Sequence, residues 1–287
     1  MRWSIGDVQV HQVVELDTGV GTIIQSIIRN ATRENIKQIT WLYPDFADEG
    51  GNLKALVQSF LIKSSGKNIL IDACNGNDKT RTDMPAWGML HTDFLEKLGP
   101  LGTSPSDIDF VACTHIHTDH VGWNTTLKNG KWIPTFPNAK YIFAKEEYEY
   151  WVKKPEKEIA DDKAAFDDSV APIVSAGMAD FVGSDYRIDE HVRLMPSPGH
   201  TPGHVAVLLE SQGNQGIISG DFLHHPCQIA RPEWATDSDT LPDVGVSTRK
   251  RMFAQIAGSG TLLIGSHFAD PVAGLLERSG DGFVFKV

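Results

Sequence analysis

Cysteine is scarce in this chain. Only Cys74, Cys113 and Cys227 occur, odd in number and far apart, which excludes both a disulfide framework and a Cys-x-x-Cys metal knuckle. All three are expected to be buried small hydrophobes. Positive charge is also in deficit, with 26 Lys and Arg against 37 Asp and Glu and a formal net charge of −11. Such a surface repels phosphate backbones and anionic membranes, and no basic run of the kind used for nucleic acid is present. The expected partner is a small molecule, with a homodimer the alternative to a monomer. No apolar run is long enough to span a bilayer, and Met1-Arg2-Trp3-Ser4-Ile5-Gly6-Asp7 lacks the apolar core of a signal peptide. These absences predict a soluble, cytoplasmic protein. Any metal site must be built from carboxylates and the eleven histidines.

What is present is ample apolar material, 41% of the residues, and the expectation is one domain over residues 1–287. Short apolar runs bounded by turn residues predict strands at Val8 to Leu16, Ser59 to Lys63, Asn68 to Asp72, Asp109 to Thr114 and Lys140 to Phe143. Further strands are predicted at His191 to Met195, Val205 to Glu210, Gly216 to Gly220, Thr261 to Gly265 and Gly282 to Lys286. Apolar residues three or four apart predict helices at Thr92 to Leu98, Lys145 to Lys153, Lys163 to Ala176 and Ser247 to Ala257. The irregular alternation predicts an α/β protein of α+β type, a four-layer αββα sandwich with two mixed sheets face to face and helices outside. Ile28 to Asn52, Asp72 to Gly88 and Pro226 to Ser247 fit no regular element, and read as binding loops that carry aromatics.

The chemistry concentrates in Thr114-His115-Ile116-His117-Thr118-Asp119-His120-Val121-Gly122, directly after a predicted strand. On a loop leaving a strand, His115 and His117 alternate to one side, while Asp119 and His120 turn to a neighbouring point. Imidazole and carboxylate together suit zinc, and also iron, manganese, cobalt or nickel, better than calcium or magnesium. Three later segments place ligand-type residues at strand ends: Ser197-Pro198-Gly199-His200-Thr201-Pro202-Gly203-His204, Gly220-Asp221 and Ser266-His267. His204 reads as support for its loop, and His11, His91 and His191 as structural.

This pattern, His-x-His-x-Asp-His followed by a distant His, Asp and His, resembles the metallo-β-lactamase fold superfamily, from about Val8 to Phe285. The resemblance implies a first metal on His115, His117 and His200 and a second on Asp119, His120 and His267, with Asp221 bridging. It further implies that a hydroxide shared by the ions is the nucleophile, with Asp119 and Asp221 as catalytic groups. Within the superfamily, the Asp at 221, the His at 117 and the short tail after His267 set the chain apart from dinuclear β-lactamases, flavodiiron proteins and glyoxalase-type thioesterases. What remains resembles the branch of lactonases and methyl-parathion-hydrolase-like arylesterases. Homoserine lactonases of that branch commonly carry a tyrosine three residues after the bridging aspartate; here His224 stands at that position and is a candidate catalytic group. The expectation is hydrolysis of a lactone or carboxylic ester, with phosphotriester cleavage as a side activity. Trp41, Trp87, Trp123, Phe222, Trp234 and Phe268 are the expected pocket walls. The alternatives are a mononuclear iron oxygenase resembling sulfur dioxygenases and a thioesterase of the glyoxalase II type.

Overall fold

The computed structural model describes residues 1–21, 23–153, 160–280 and 282–287. Its strands are β1 (Arg2–Ile5), β2 (Val8–Val20), β3 (Lys54–Ser64), β4 (Lys67–Ile71), β5 (Phe110–Cys113), β6 (Thr125–Lys128), β7 (Lys131–Pro134) and β8 (Lys140–Ala144). After these come β9 (Ala179–Val182), β10 (Val192–Pro196), β11 (Val205–Ser211), β12 (Asn214–Ile218), β13 (Leu262–Ile264), β14 (Ala273–Ser279) and β15 (Gly282–Lys286). The α-helices are α1 (Ile23–Ile27), α2 (Arg33–Lys37), α3 (Thr118–Val121), α4 (Lys145–Lys153), α5 (Ala160–Ala165), α6 (Ala171–Ser175), α7 (Cys227–Ala230) and α8 (Pro242–Ile256).

The strands form a seven-stranded sheet in the order β1-β2-β3-β4-β5-β8-β9, a six-stranded sheet β10-β11-β12-β13-β14-β15 and a hairpin β6-β7. Both large sheets are mixed, with β4, β5, β8 and β9 parallel in the first and β12 and β13 parallel in the second. The two-residue period of a strand divides the core. Ile62, Ile69, Ile71, Ala112 and Ile142 join Val205, Val207, Leu209 and Ile264 of the other sheet in one apolar cluster between the sheets. Their neighbours Leu61, Leu70, Val111, Tyr141 and Phe143 face outward and are covered by Trp151, Ala165, Val170 and Ile173 of the helical layer. On the far side α8 contributes Met252, Phe253 and Ile256. This is the expected αββα layering, and the strand β3 is buried along nearly its whole length because both of its faces are covered.

The topology places the site. β10 and β12 both flank β11 antiparallel and so run the same way, as does β13 beside β12. The C-terminal ends of β10, β12 and β13 therefore share one edge, as do those of β4 and β5 in the first sheet. Every candidate ligand follows one of these ends.

Several local expectations change. Thr92 to Leu98 is not a helix: it is irregular up to a 3-10 turn at Glu96–Leu101, where Gly99 and Pro100 break α-helical bonding. The segment Lys163 to Ala176 is α5 and α6 joined through a π-helical turn at Phe166–Val170, with Pro172 lacking the donor that a continuous helix needs. The strand expected to end at Gly220 stops at Ile218, and Asp221 sits on a 3-10 turn, Gly220–Phe222. Ile28 to Asn52 contains α2 and a 3-10 turn at Thr40–Leu42 rather than being a plain loop. All three cysteines are free and buried. Among the described residues no helix is long and apolar enough to cross a membrane.

Candidate metal centre

Four of these strand ends, those of β5, β10, β12 and β13, bring eight ligand-type side chains together. His115 and His117 lie on the segment that leaves β5, His117 in extended backbone, and the chain then turns into α3, whose single turn swings Asp119 and His120 to the adjacent point. His200 comes from the loop after β10, Asp221 and His224 from the turn after β12, and His267 from the loop after β13. His115, His117 and His200 form one set whose potential donor atoms lie within 4.8 Å of one another; Asp119, His120 and His267 form a second. In the first, His117 Nδ1 lies 3.0 Å from His115 Nε2 and 2.8 Å from His200 Nε2. In the second, His267 Nε2 lies 3.3 Å from His120 Nε2 and 3.6 Å from Asp119 Oδ2.

Asp221 stands between the sets and divides its oxygens. Oδ2 lies 3.6 Å from His200 Nε2 and 3.9 Å from His115 Nε2, whereas Oδ1 lies 3.4 Å from His120 Nε2 and 3.2 Å from His267 Nε2. His224 Nε2 is 3.2 Å from Oδ2. Gly220 permits this approach: it adopts φ +51°, and a Cβ there would come within 2.6 Å of His204 Nε2.

The outer ring nitrogens show what the inner ones carry. His267 Nδ1 lies 2.9 Å from Leu56 O, His120 Nδ1 2.9 Å from Asp72 Oδ2 and His200 Nδ1 3.0 Å from Asp239 Oδ1. These partners only accept, so each Nδ1 is the N–H donor. His115 Nδ1 donates in the same way to Thr114 Oγ1, whose own hydroxyl donates to Asp72. In the neutral rings the four Nε2 lone pairs therefore converge on a buried space with two carboxylates, Asp119 and Asp221. Converging lone pairs cannot satisfy one another, and a divalent cation is the group that satisfies them all. The residues present fit such an ion, and nitrogen with carboxylate oxygen is the donor set of zinc.

Electrostatics agree. Burial alone pushes a histidine pKa down, and it holds His115 well below its usual value and His200 at about 4, the latter against the bond it donates to Asp239. His120 and His267 are buried as deeply, yet Asp221 and Asp119 overcome the penalty, raising His120 well above the usual value and His267 to about 8. Burial would raise Asp221, but His120, His267 and His224 hold it well below the ordinary carboxylate range. The carboxylates that would hold a cation are thus already drawing protons onto these rings.

Most of the aromatics expected at the pocket are buried. Phe268 is fully buried against Phe46 and Phe285, and Phe222 lies in the same core cluster. Trp123 is an anchor, stacked on Phe94 with its Nε1–H donated to Glu15 at 2.6 Å. Trp87 and Trp234 are also largely buried, and Trp41 is partly buried. The aromatic that meets a site histidine is one the sequence did not single out: Trp151 lies edge-on to His117, with ring centroids 5.4 Å apart. Asp72, Asp239 and Glu147 were missed too, because nothing local separates them from the other carboxylates. His204 is not in the donor sets, and its Nε2 instead accepts the Asp221 backbone N–H. His91 is exposed, and His191 Nδ1 lies 2.9 Å from Glu210 O.

Known proteins share this architecture. The chain is 26% identical over 182 residues to the N-acyl homoserine lactonase AttM of Rhizobium radiobacter, an alignment covering 59% of this chain and 65% of AttM. It is 27% identical over 118 residues to an N-acyl homoserine lactonase of a Bacillus species, covering 41% of this chain and 39% of that protein. The chain thus spans less than two thirds of either relative. Among solved structures it is similar to AidC, a dizinc quorum-quenching lactonase in complex with a product, with a TM-score of 0.82, 21% identity and coverage of 100% of this chain and 96% of that one. It is also similar to the hydrolase AbOPH, with a TM-score of 0.80, 24% identity and coverage of 99% and 95%. The model of the Metallo-beta-lactamase superfamily matches residues 55–265, from β3 to the end of β13, and so takes in every candidate ligand but His267. The chain belongs to the metallo-β-lactamase superfamily.

Proposed function

We propose that this protein is a metal-dependent hydrolase that opens lactones, with carboxylic esters as further substrates and phosphotriester cleavage as a side activity. The observation that carries the reading is the division of the Asp221 carboxylate, one oxygen toward each set of donors. That geometry suits a bridge between two divalent ions, zinc foremost: one on His115, His117 and His200, the other on Asp119, His120 and His267. When bound, such ions supply a water whose pKa falls to about 7, giving a hydroxide nucleophile at neutral pH, and an electrophile for the substrate carbonyl. The names of AttM and the Bacillus relative favour a lactone over other acyl compounds.

The chain's own residues do the rest. Asp72, Asp239, Thr114 and the Leu56 carbonyl fix the tautomer and direction of the four rings they bind. His224 is the remaining proton-active group at the site. It is buried, its Nε2 faces Asp221, and its Nδ1 has no hydrogen-bond partner among the described residues. It would hand a proton to the alkoxide that a lactone releases on opening. Trp41, Trp87 and Trp234 remain candidates for the wall around an acyl chain. The reading takes residues 1–287 as one catalytic unit.

The experiment is a panel of lactones, aryl esters, thioesters and phosphotriesters assayed on chain whose metal content has been measured. About two zinc-like ions per chain with lactones turned over fastest is the expected result. One iron per chain with thiol-dependent oxygen uptake, or turnover confined to thioesters, overturns the proposal.

A further inference from the structure

Glu147 lies outside the donor sets but touches the surroundings of one of them on three sides. It sits in the first turn of α4, on the helical side of the seven-stranded sheet, and is 2% exposed. Its Oε1 accepts the backbone N–H of Ile116 at 2.9 Å and the indole N–H of Trp151 at 2.7 Å. Its Oε2 accepts the hydroxyl of Thr201 at 2.6 Å and the backbone N–H of Gly203 at 3.2 Å. Four neutral donors surround one carboxylate, an arrangement that only an acceptor at every lone pair can complete.

The positions of those donors matter. Ile116 lies between His115 and His117, Thr201 follows His200, and Trp151 packs edge-on against the His117 ring. The first two loops come from different sheets, leaving β5 and β10. One backbone bond, Val205 N–H to Thr114 O, also ties them. Glu147 fixes the segments that carry the ligands themselves. The contact is close: a Cβ on Gly203 would come within 2.1 Å of the Glu147 backbone nitrogen, so the His200 loop lies directly on the start of α4. Asp119, His120 and His267 make no such contact with Glu147 among the described residues.

We propose that Glu147 is a positioning residue for one half of the centre, setting the spacing of His115, His117 and His200 and hence the affinity with which that half holds its divalent ion. The inference rests on the metal reading above. Glutamine at this position keeps the shape and one acceptor oxygen; its N–H₂ falls on the Thr201 and Gly203 side, where the hydroxyl can turn to accept but the Gly203 N–H loses its partner, so the His200 arm should lose its hold first.

The test is chelator-competition titration of zinc, together with the visible spectrum of the cobalt(II)-loaded chain, on the full-length protein, Glu147→Gln and Thr201→Val. Expected is a loss of affinity at one ion of about 10- to 100-fold in Glu147→Gln, with the second ion unchanged and one cobalt environment altered. Thr201→Val should show a smaller loss at the same ion, and the double variant should be no worse than Glu147→Gln alone. Equal weakening of both ions, or a lower melting temperature with both affinities intact, overturns the proposal and leaves Glu147 a fold-stabilising residue. Should Glu147→Gln not fold, Thr201→Val decides on the same criteria. A wild-type chain that binds no divalent ion removes the metal reading itself, a failure distinct from an unselective effect in the variants.

Discussion

His204 accepts the backbone N–H of Asp221 on its Nε2 at 2.7 Å, while its Nδ1 contacts the carbonyl and hydroxyl of Ser197 at 3.0 and 2.9 Å. The sequence reads His204, four residues after His200, as support for its loop. In space it is a strut under the residue placed between the two donor sets. Burial keeps its pKa down at about 3, so at neutral pH its Nε2 lone pair is free to accept. His204→Ala should leave the Asp221 N–H buried without a partner, at a cost of about 1–3 kcal/mol. Urea unfolding of the chelator-treated chain measures that cost, and zinc content should fall with it. Unchanged stability and unchanged zinc would show that the bond holds nothing in place.

Asp221 itself gives the sharpest test of the site. Asp221→Asn keeps the volume but replaces one oxygen with a donor, so it should lower metal content and reduce turnover to near background. Asp119→Ala should empty mainly the ion on His120 and His267 while the three-histidine set retains its own. Elemental analysis of both variants checks this. Equal loss from the two sets after Asp119→Ala would contradict the partition.

His224→Phe separates proton delivery from metal binding. If the ring protonates a leaving alkoxide, alkyl esters and lactones should slow by about 10²- to 10⁴-fold, whereas p-nitrophenyl esters, which release a stable phenolate, should lose far less. Zinc content should not change. A uniform loss across leaving groups, or loss of zinc, would remove His224 from the mechanism.

Acid stability depends on histidines buried in neutral form. His225 donates Nε2–H to Phe46 O and accepts the Cys227 N–H on Nδ1, both at 3.0 Å, and burial lowers its pKa to about 3. The folded value lies below the unfolded value of about 6.5, so the unfolded chain binds the extra proton. The stabilisation is therefore fully present above about pH 6.5 and is lost progressively as pH falls toward 3. In this window the metal-free chain should lose stability, and His225→Gln should make the slope shallower by up to ~1.4 kcal/mol per pH unit. Denaturation midpoints between pH 7 and 4 measure both slopes; parallel slopes would show that His225 does not titrate on unfolding.

The amino-acid sequence determined the layered architecture and the seven-residue donor pattern, because both are local signals. Short apolar runs bounded by turn residues make strands such as β3 and β5 legible, and the donors cluster within a few residues or follow strand ends marked by glycine. The one-turn helix α3 was not legible, since four residues carry no helical period. Nor was β14: Ala273–Ser279 has little strand propensity and is extended because β13 and β15 pair with it. Tertiary structure alone decided the partners of the donors. Asp72 meets His120 from 48 positions away, Asp239 meets His200 from 39 and Glu147 meets Thr201 from 54. With 37 acidic residues in the chain, nothing local marks these three. Tertiary structure also turned the loop aromatics inward, because a ring the size of Phe268 or Trp123 gains more by burial in a core than by lining an open loop. Which residues could bind was written in order along the chain; which groups hold and aim them was fixed only where strands from two sheets end side by side.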